Sequence, residues 1–301
     1  MPQGIYLPEG LGMAGGRYTE GVAGMARAMA DGIVLEGKAV ACSADGDLTV
    51  RIGNMEGVIP YAEASLDPAR PIAVLSKVGH SVCFMVTGRM GDRYLLSRRA
   101  AQQAAQQCFM ENLLPGEVIR ARVTHLEPFG AFVDMGCGLP SLIGIENICV
   151  SRTGHPKERF VPGQVIQAVV LSVDRAQKRV VLSHRELLGT WEENLQGIEV
   201  GQTRMGIVRG LADYGVFVEL TPNLSGLAEP TGRDLESGDG VSVYIKSILP
   251  DRMKVKLMVI DRLEKGDGRI GEDHYFIRGG CMEQWQYSPD CCRSKLVGTW
   301  F

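Results

Sequence analysis

The central part of the chain consists of five short apolar runs rich in valine and isoleucine, each followed by a glycine, a proline or a charged turn. The runs cover residues 116–123, 128–134, 142–145, 163–166 and 178–183. β-Branched residues fit the pleat of a strand, and glycine and proline interrupt regular structure, so this pattern predicts strands rather than helices. Five such strands that turn at glycines are typical of a small closed barrel.

The same pattern recurs towards the C-terminus, which indicates an internal repeat. The matched pairs, which share one offset, are Gly116 and Gly201, Phe129 and Tyr214, Gly130 and Gly215, and Phe132 and Phe217. After the third strand the offset becomes shorter, because the central copy has an extra loop at 151–160. This loop contains Arg152, His155, Lys157 and Arg159. Insertions at the surface of a barrel often enlarge a binding face, so we expect that role for the loop.

A more divergent copy precedes the central one, with predicted strands in 32–40, 48–53, 56–60, 82–87 and 94–97. Thr49 stands where the central copy has Phe132. Gly46 stands where it has Phe129, so both aromatic rings are missing from this copy. Any function that depends on these rings is therefore expected in the two later copies.

The chain is thus predicted to be all-β with linker helices, built from three tandem five-stranded barrels. The predicted boundaries are 1–31 for a flexible lead and a short helix, 32–98 for the first barrel, 99–112 for a linker helix, 113–186 for the second barrel, 187–197 for a second linker helix, 198–261 for the third barrel and 262–301 for a C-terminal tail. Thr19 is expected to cap the N-terminal helix. Arg98 and Arg99 are expected at a solvated helix end, with contact to RNA as the alternative, and the tail is expected to dock on the third barrel.

Basic residues accompany the aromatic rings in both later copies. Aromatic side chains can stack on bases and basic side chains can neutralise phosphates, so this combination favours single-stranded nucleic acid. The candidate binding residues are Phe129, Phe132, Arg120, Arg122, Lys178 and Arg179 in the second barrel, and Tyr214, Phe217, Arg252, Lys254 and Lys256 in the third. Alternatively, a ring of each pair fills the mouth of its barrel and the cations are solvated turn charges.

The central copy resembles the S-one type RNA-binding domain, the OB-fold repeat of the largest protein of the small ribosomal subunit. The residues that carry the resemblance are Phe129-Gly130-Ala131-Phe132-Val133-Asp134, then Leu142-Ile143-Gly144-Ile145, then Val173-Asp174-Arg175 and Arg179-Val180-Val181-Leu182-Ser183. It implies OB-fold barrels whose rings stack on the bases of single-stranded RNA. The family usually has a histidine after the third strand, where this chain has Gly144 and Glu229.

In that family the first repeats anchor the protein to the ribosome and later repeats hold mRNA. The resemblance therefore implies that the first barrel contacts the small ribosomal subunit and that barrels two and three bind mRNA during translation initiation in a bacterium. Two alternatives remain open. One is a regulatory or stress RNA-binding protein outside the ribosome, and the other is a protein-interaction scaffold whose barrels no longer bind RNA.

The net charge of the 301-residue chain is −3, so a nucleic-acid site must be a local patch on a near-neutral body. No run approaches the roughly 20 apolar residues of a membrane span, and the N-terminus lacks a secretory pattern. We therefore expect a cytoplasmic protein without a membrane partner, whose eight cysteines are reduced thiols. Cys281, Cys291 and Cys292 lie near His274, but adjacent cysteines are poorly spaced for zinc, so no metal is expected.

The sequence shows no catalytic set, because its five histidines lie in separate predicted strands or loops. Residues 10–15 match a dinucleotide-binding glycine pattern, but no strand precedes them. Residues 32–39 mimic a phosphate-binding loop, but Ala39 stands where a serine or threonine must hold magnesium. We therefore expect neither an enzyme, nor a cofactor, nor a small-molecule substrate.

Overall fold

The computed structural model describes residues 6–12, 21–67, 71–230, 232, 234–263, 275–293 and 295–301. Within these ranges the strands form three closed five-stranded barrels and a two-stranded sheet. The predicted all-β class with three tandem barrels is therefore confirmed. Thr19, the expected helix cap, and His274, the histidine near the tail cysteines, lie outside the described residues.

All three barrels have the same strand order, in which the third and fifth strands pair in parallel and the other neighbours pair antiparallel. The first barrel consists of β1 (Leu35–Cys42), β2 (Leu48–Ile52), β3 (Met55–Ile59), β4 (Ser81–Met90) and β5 (Arg93–Ser97). The second consists of β6 (Val118–Glu127), β7 (Gly130–Asp134), β8 (Pro140–Gly144), β9 (Val165–Asp174) and β10 (Arg179–Ser183). The third consists of β11 (Thr203–Ala212), β12 (Gly215–Thr221), β13 (Leu224–Ala228), β14 (Gly240–Leu249) and β15 (Lys254–Arg262).

Four α-helices accompany the barrels in the described ranges. They are α1 (Gly21–Asp31), α2 (Pro71–Leu75), α3 (Arg98–Asn112) and α4 (Trp191–Asn194). Helix α3 links the first two barrels, and the Ser97 hydroxyl caps it by accepting a hydrogen bond from the backbone N–H of Ala100. Ala101 and Ala105 of this helix are fully buried, so α3 packs along one small-residue face.

Arg98, expected at a solvated helix end, is buried instead. Its Nε donates a hydrogen bond to Glu9 Oε1 at 2.6 Å. Arg99 is exposed, as expected for a helix end. The prediction was wrong for Arg98 because its partner lies 89 residues away in sequence, a distance that local pattern cannot bridge.

Residues 6–12 are not a loose lead. The Glu9 carboxylate lies between the first two barrels and accepts hydrogen bonds from the Cys83 N–H at 3.1 Å and from Lys77 Nζ at 3.2 Å. The backbone N–H of Glu9 donates to Asp134 Oδ2 at 2.7 Å. Although burial opposes it, the positive charges of Arg98 and Lys77 lower the pKa of Glu9. The expectation of a flexible lead is therefore wrong for this segment, which joins the two barrels.

The second linker consists of two short pieces rather than one helix. A 3-10 helix covers Arg185–Leu188, and α4 follows Gly189. Gly189 has a φ of +83°, a left-handed conformation that favours glycine and ends the first piece. Trp191 is buried in one cluster with the third-barrel core and with Trp285 and Tyr287 of the tail.

The tail lies against the third barrel, as expected, and it also pairs with the second. Its strands β16 (Gln284–Gln286) and β17 (Gly298–Trp300) form the two-stranded sheet. The Tyr287 hydroxyl donates to the carbonyl oxygen of Asn223 in the third barrel. The N–H of Val118 in the second barrel donates to the Gly280 carbonyl at 2.9 Å. The tail therefore ties the second and third barrels together.

The loop 151–160 lies at the junction between the second and third barrels. Arg159 donates to both carboxylate oxygens of Glu219, and both side chains are almost fully buried. Arg209 donates to the same carboxylate at 2.8 Å and to Glu158 at 3.2 Å. The expectation that this loop enlarges a binding face is therefore wrong for Arg159, which joins two barrels.

Replacing Trp191 by alanine should lower the free energy of unfolding by about 3–5 kcal/mol, because it leaves a cavity in a buried cluster. Trp300→Ala is a matched control. Its side chain is 68% exposed, so its effect should stay within about 0.5 kcal/mol. Urea unfolding followed by circular dichroism measures both. Equal effects of the two substitutions would contradict the burial of Trp191.

Candidate nucleic-acid interface

The hairpin between β6 and β7 presents two rings on the outside of the second barrel. Phe129 lies in the turn and is 56% exposed. Phe132 lies on the outward face of β7 and is half-buried. The ring centroids are 5.9 Å apart and the planes meet at 83°, an edge-on contact. Neither ring belongs to the buried core of this barrel, so neither fills its interior.

The hairpin between β11 and β12 repeats this arrangement in the third barrel. Tyr214 is 67% exposed and Phe217 is 36% exposed. Their centroids are 6.1 Å apart and their planes meet at 87°. The same local sequence thus gives the same ring geometry on two barrels.

The glycine between the two rings allows the next strand to approach closely. A Cβ atom on Gly130 would lie 2.5 Å from the Ile143 carbonyl oxygen. A Cβ atom on Gly215 would lie 2.4 Å from the Ala228 carbonyl oxygen. Both distances are shorter than real Cβ contacts, so a larger residue would displace β8 or β13 and the surface beside the rings.

Phe132 and Phe217 each begin a row of outward side chains that crosses three strands. The rows are Phe132, Leu142 and Val181 in the second barrel, and Phe217, Leu227 and Lys256 in the third. The equivalent row of the first barrel is Thr49, Val58 and Leu95. This row has no ring, as the sequence comparison predicts.

The predicted cations differ in their relation to these rows. Arg179 and Lys254 occupy the same place at the start of the fifth strand, two residues before the end of the row. Both are exposed, and Lys256 lies in the row itself. Of the remaining exposed cations, Lys178 and Arg252 directly precede the fifth strands, whereas Arg120 pairs with Gln167 of β9, five residues along β6 from the residue that faces Phe132.

Arg122 has structural partners. Its Nη1 donates to the Glu9 carbonyl at 2.8 Å, and its Nε donates to the Gly163 carbonyl at 3.2 Å. The guanidinium therefore holds the segment 6–12 against the second barrel. The structure does not bring Arg122 to the rings, because its hydrogen bonds direct it to the junction with the first barrel.

Glu229 adds a negative charge beside the row of the third barrel. It follows β13, and its carboxylate accepts a hydrogen bond from Lys246 Nζ at 2.6 Å. This hydrogen bond, together with the charges of Lys246 and Lys256, lowers the pKa of Glu229. The second barrel has Gly144 at the equivalent position, so the two surfaces differ in charge at this point.

His125 was missed by sequence reasoning. Its ring stacks on Phe132, with centroids 4.3 Å apart and planes 11° from parallel. The two residues face each other because the register of β6 and β7 shifts between Val123 and His125. The residue pattern does not show this β-bulge, so the sequence alone cannot place His125 at the site.

Neither a metal centre nor a membrane-crossing helix is evident in the described part of the chain. Across those residues no three histidine, cysteine, aspartate or glutamate side chains are grouped so as to hold a metal ion. Cys281 and Cys291 are exposed there, and Cys292 is buried. None of the described helices combines the length and apolar character needed to cross a membrane.

Comparison with known proteins supports the resemblance found in the sequence. Residues 114–185, which form the second barrel, match the S1 RNA binding domain family. The second barrel is therefore similar to that family along its whole length, and the described chain has the architecture of tandem five-stranded OB-fold barrels.

The chain is similar to the small ribosomal subunit protein bS1 of several bacteria. It is 30% identical to that of Neisseria meningitidis serogroup B over 249 residues, 76% of this chain and 44% of the relative. It is 29% identical to that of Staphylococcus aureus over 237 residues, 74% of this chain and 60% of the relative. The chain thus spans about half the length of the curated relatives it matches.

A solved multidomain protein with nucleic acid binding domains from Streptococcus pneumoniae is 15% identical, with a TM-score of 0.26, over 76% of this chain and 73% of that one.

Replacing Lys246 by methionine should raise the pKa of Glu229, because the hydrogen bond that stabilises the carboxylate is lost. Carbon-13 NMR titration of the Glu229 carboxyl group in wild type and variant measures the change. Lys38→Met, in the first barrel, serves as the control and should leave this pKa unchanged. A Glu229 pKa that is the same with and without Lys246 would contradict the ion pair.

Proposed function

We propose that this chain binds single-stranded RNA without catalysis, through the outward rings and cations of its second and third barrels. The observation that carries the proposal is one arrangement repeated on two barrels: an edge-on ring pair at the first hairpin and a cation at the start of the fifth strand. Three of the four rings, Phe129, Tyr214 and Phe217, are exposed. Packing within a barrel gives no reason for such exposure.

The rings provide stacking surfaces for unpaired bases. Every base has an aromatic face, so a stacked base contributes about 1–3 kcal/mol whatever its identity. Leu142 lies beside Phe132 and Leu227 lies beside Phe217, so each of these two rings is continued by an apolar side chain on the next strand. Because stacking does not read the hydrogen-bonding edges of bases, we expect weak sequence preference.

The cations beside the rows provide contacts for the phosphates. Arg179 serves the second barrel, and Lys254 and Lys256 serve the third. The whole chain carries a net charge of −3, so long-range attraction does not explain binding and the local cations must. Such binding weakens as salt rises, because neutralised phosphates release counterions.

The second and third barrels act as one unit in this proposal. The tail pairs with both, and the buried contact between Arg159 and Glu219 joins them directly. An RNA strand bound to one barrel is therefore held at a high effective concentration near the other. Two modest sites can then bind together more tightly than either alone.

We extend the proposal to the ribosome, since the relatives are named as a small ribosomal subunit protein. In this extension the chain holds mRNA in the bacterial cytoplasm, and the ring-free first barrel contacts the small ribosomal subunit. Co-sedimentation of the purified chain with small subunits tests the extension. RNA binding without co-sedimentation would instead favour a regulatory role outside the ribosome.

The double variant Phe132→Ala, Phe217→Ala should weaken the binding of a short labelled single-stranded RNA by at least about 30-fold, because two stacked bases each lose about 1 kcal/mol or more. Fluorescence anisotropy at low salt measures the dissociation constants. Trp300→Ala removes an exposed ring of the tail and should leave binding unchanged. A wild type that does not bind at low salt would sink the RNA proposal in favour of a protein-interaction scaffold.

The double variant Lys254→Met, Lys256→Met should reduce the salt dependence of RNA binding. Each lost phosphate contact lowers the slope of log affinity against log salt by about 0.7 for a single strand. Anisotropy titrations at four salt concentrations give the slope for each protein. Lys38→Met, an exposed lysine of the first barrel, is the control. Equal slopes for all three proteins would show that these lysines do not contact phosphates.

A further inference from the structure

His125 covers one face of the Phe132 ring. The rings are parallel within 11° and their centroids are 4.3 Å apart, a stacked contact. The Thr124 hydroxyl donates to the Phe132 carbonyl at 3.0 Å and so fixes the bulge that places His125 there. His125 is itself exposed. The second barrel therefore presents an imidazole on top of the outward Phe132 ring.

The third barrel has the same bulge without the imidazole. Its register shifts between Val208 and Gly210, so that Gly210 faces Phe217. A Cβ atom on Gly210 would lie 3.7 Å from Phe217 Cδ2, an ordinary contact, so the position has room for the start of a side chain. In the first barrel Ala41 faces Thr49. At this equivalent position the second barrel has Phe132 covered by His125, the third has Phe217 without such a cover, and the first has no ring.

The stack changes which surface a base can reach. Two parallel rings in contact each have one covered face, so the face of Phe132 towards His125 is closed to a base. The outer face of His125 replaces it, and imidazole is among the aromatic groups on which unpaired bases stack. A cross-strand ring pair also stabilises a hairpin. That role alone would make His125 matter for folding and not for RNA.

We propose that His125 is an RNA-binding residue whose outer ring face stacks on a base. This inference rests on the proposed RNA-binding function. It makes the second barrel a platform of Phe129, Phe132 and His125, whereas the third barrel offers Tyr214 and Phe217 at the same hairpin. The two barrels then differ in the ring that meets the base at this position, His125 in the second and Phe217 in the third, as well as in charge.

The test uses the full chain and a fluorescein-labelled decauridylate RNA in anisotropy titrations. His125→Ala should weaken binding by about five-fold or more, because the base loses the exposed imidazole face and the half-buried Phe132 ring that is uncovered lies 4.3 Å deeper. His125→Phe keeps an aromatic face and should bind within about two-fold of wild type. Gly210→His, which builds the missing imidazole on the third barrel, should tighten binding by about two-fold or more.

Thermal unfolding of each variant separates binding from folding. If His125→Ala lowers the unfolding midpoint, the RNA affinities of His125→Phe and Gly210→His, each compared with wild type, decide whether His125 binds RNA. RNA binding by His125→Ala within two-fold of wild type, at an unchanged midpoint, would overturn the assignment of His125 alone. If His125→Ala is unfolded, a Gly210→His variant that folds but binds RNA no more tightly than wild type would also overturn the assignment. Absence of RNA binding by the wild type would overturn the proposed function itself, and this result differs from a wild type that binds while the His125 variants show no change.

Discussion

Strand parity in a closed barrel decides which side chains of this chain can meet a ligand. Val133 and Ile143 are fully buried inside the second barrel, so their neighbours Phe132 and Leu142 must point outward. A slip of one residue would exchange the two sets and put the ring inside. The buried aliphatic core therefore places the rings on the surface, and the glycine between them lets β8 lie close beside them.

The second constraint lies at the junctions between barrels. Asp134 and Glu219 occupy equivalent positions at the second strands of their barrels, and both are buried. Asp134 accepts a hydrogen bond from the N–H of Glu9, and Glu219 accepts two from Arg159. A buried carboxylate remains stable only where such partners replace water. The second and third barrels are therefore each attached to the part of the chain before them, and the candidate surfaces are held at fixed places on a connected body.

Local pattern was enough to predict the barrels and the outward rings. Strands, turns and the repeat of Phe129 as Tyr214 depend on residues close in sequence, and they appear in the structure as expected. Long-range partners were not predictable. Arg98 and Arg159 look like surface cations in the sequence, but each has a buried carboxylate partner.

Arg122 and His125 show the same limit within the candidate site. Arg122 lies on the predicted strand, but hydrogen bonds from its guanidinium to the carbonyl oxygens of Glu9 and Gly163 direct it away from the rings. His125 reaches the ring of Phe132 because of a β-bulge that no residue type in the sequence predicts. A sequence pattern gives the face of a strand, whereas a single extra residue in the ladder decides which side chain lies opposite which.

The most direct test of this account is photo-crosslinking of the full chain to a single-stranded RNA that contains 4-thiouridine, followed by mapping of the crosslinked peptides by mass spectrometry. Crosslinks are expected in the two ring-bearing hairpins, within 125–134 and 210–217, and none in the equivalent hairpin of the first barrel, within 41–50. Crosslinks concentrated in the first-barrel hairpin, or spread equally over all three, would contradict the assignment of RNA binding to the exposed rings.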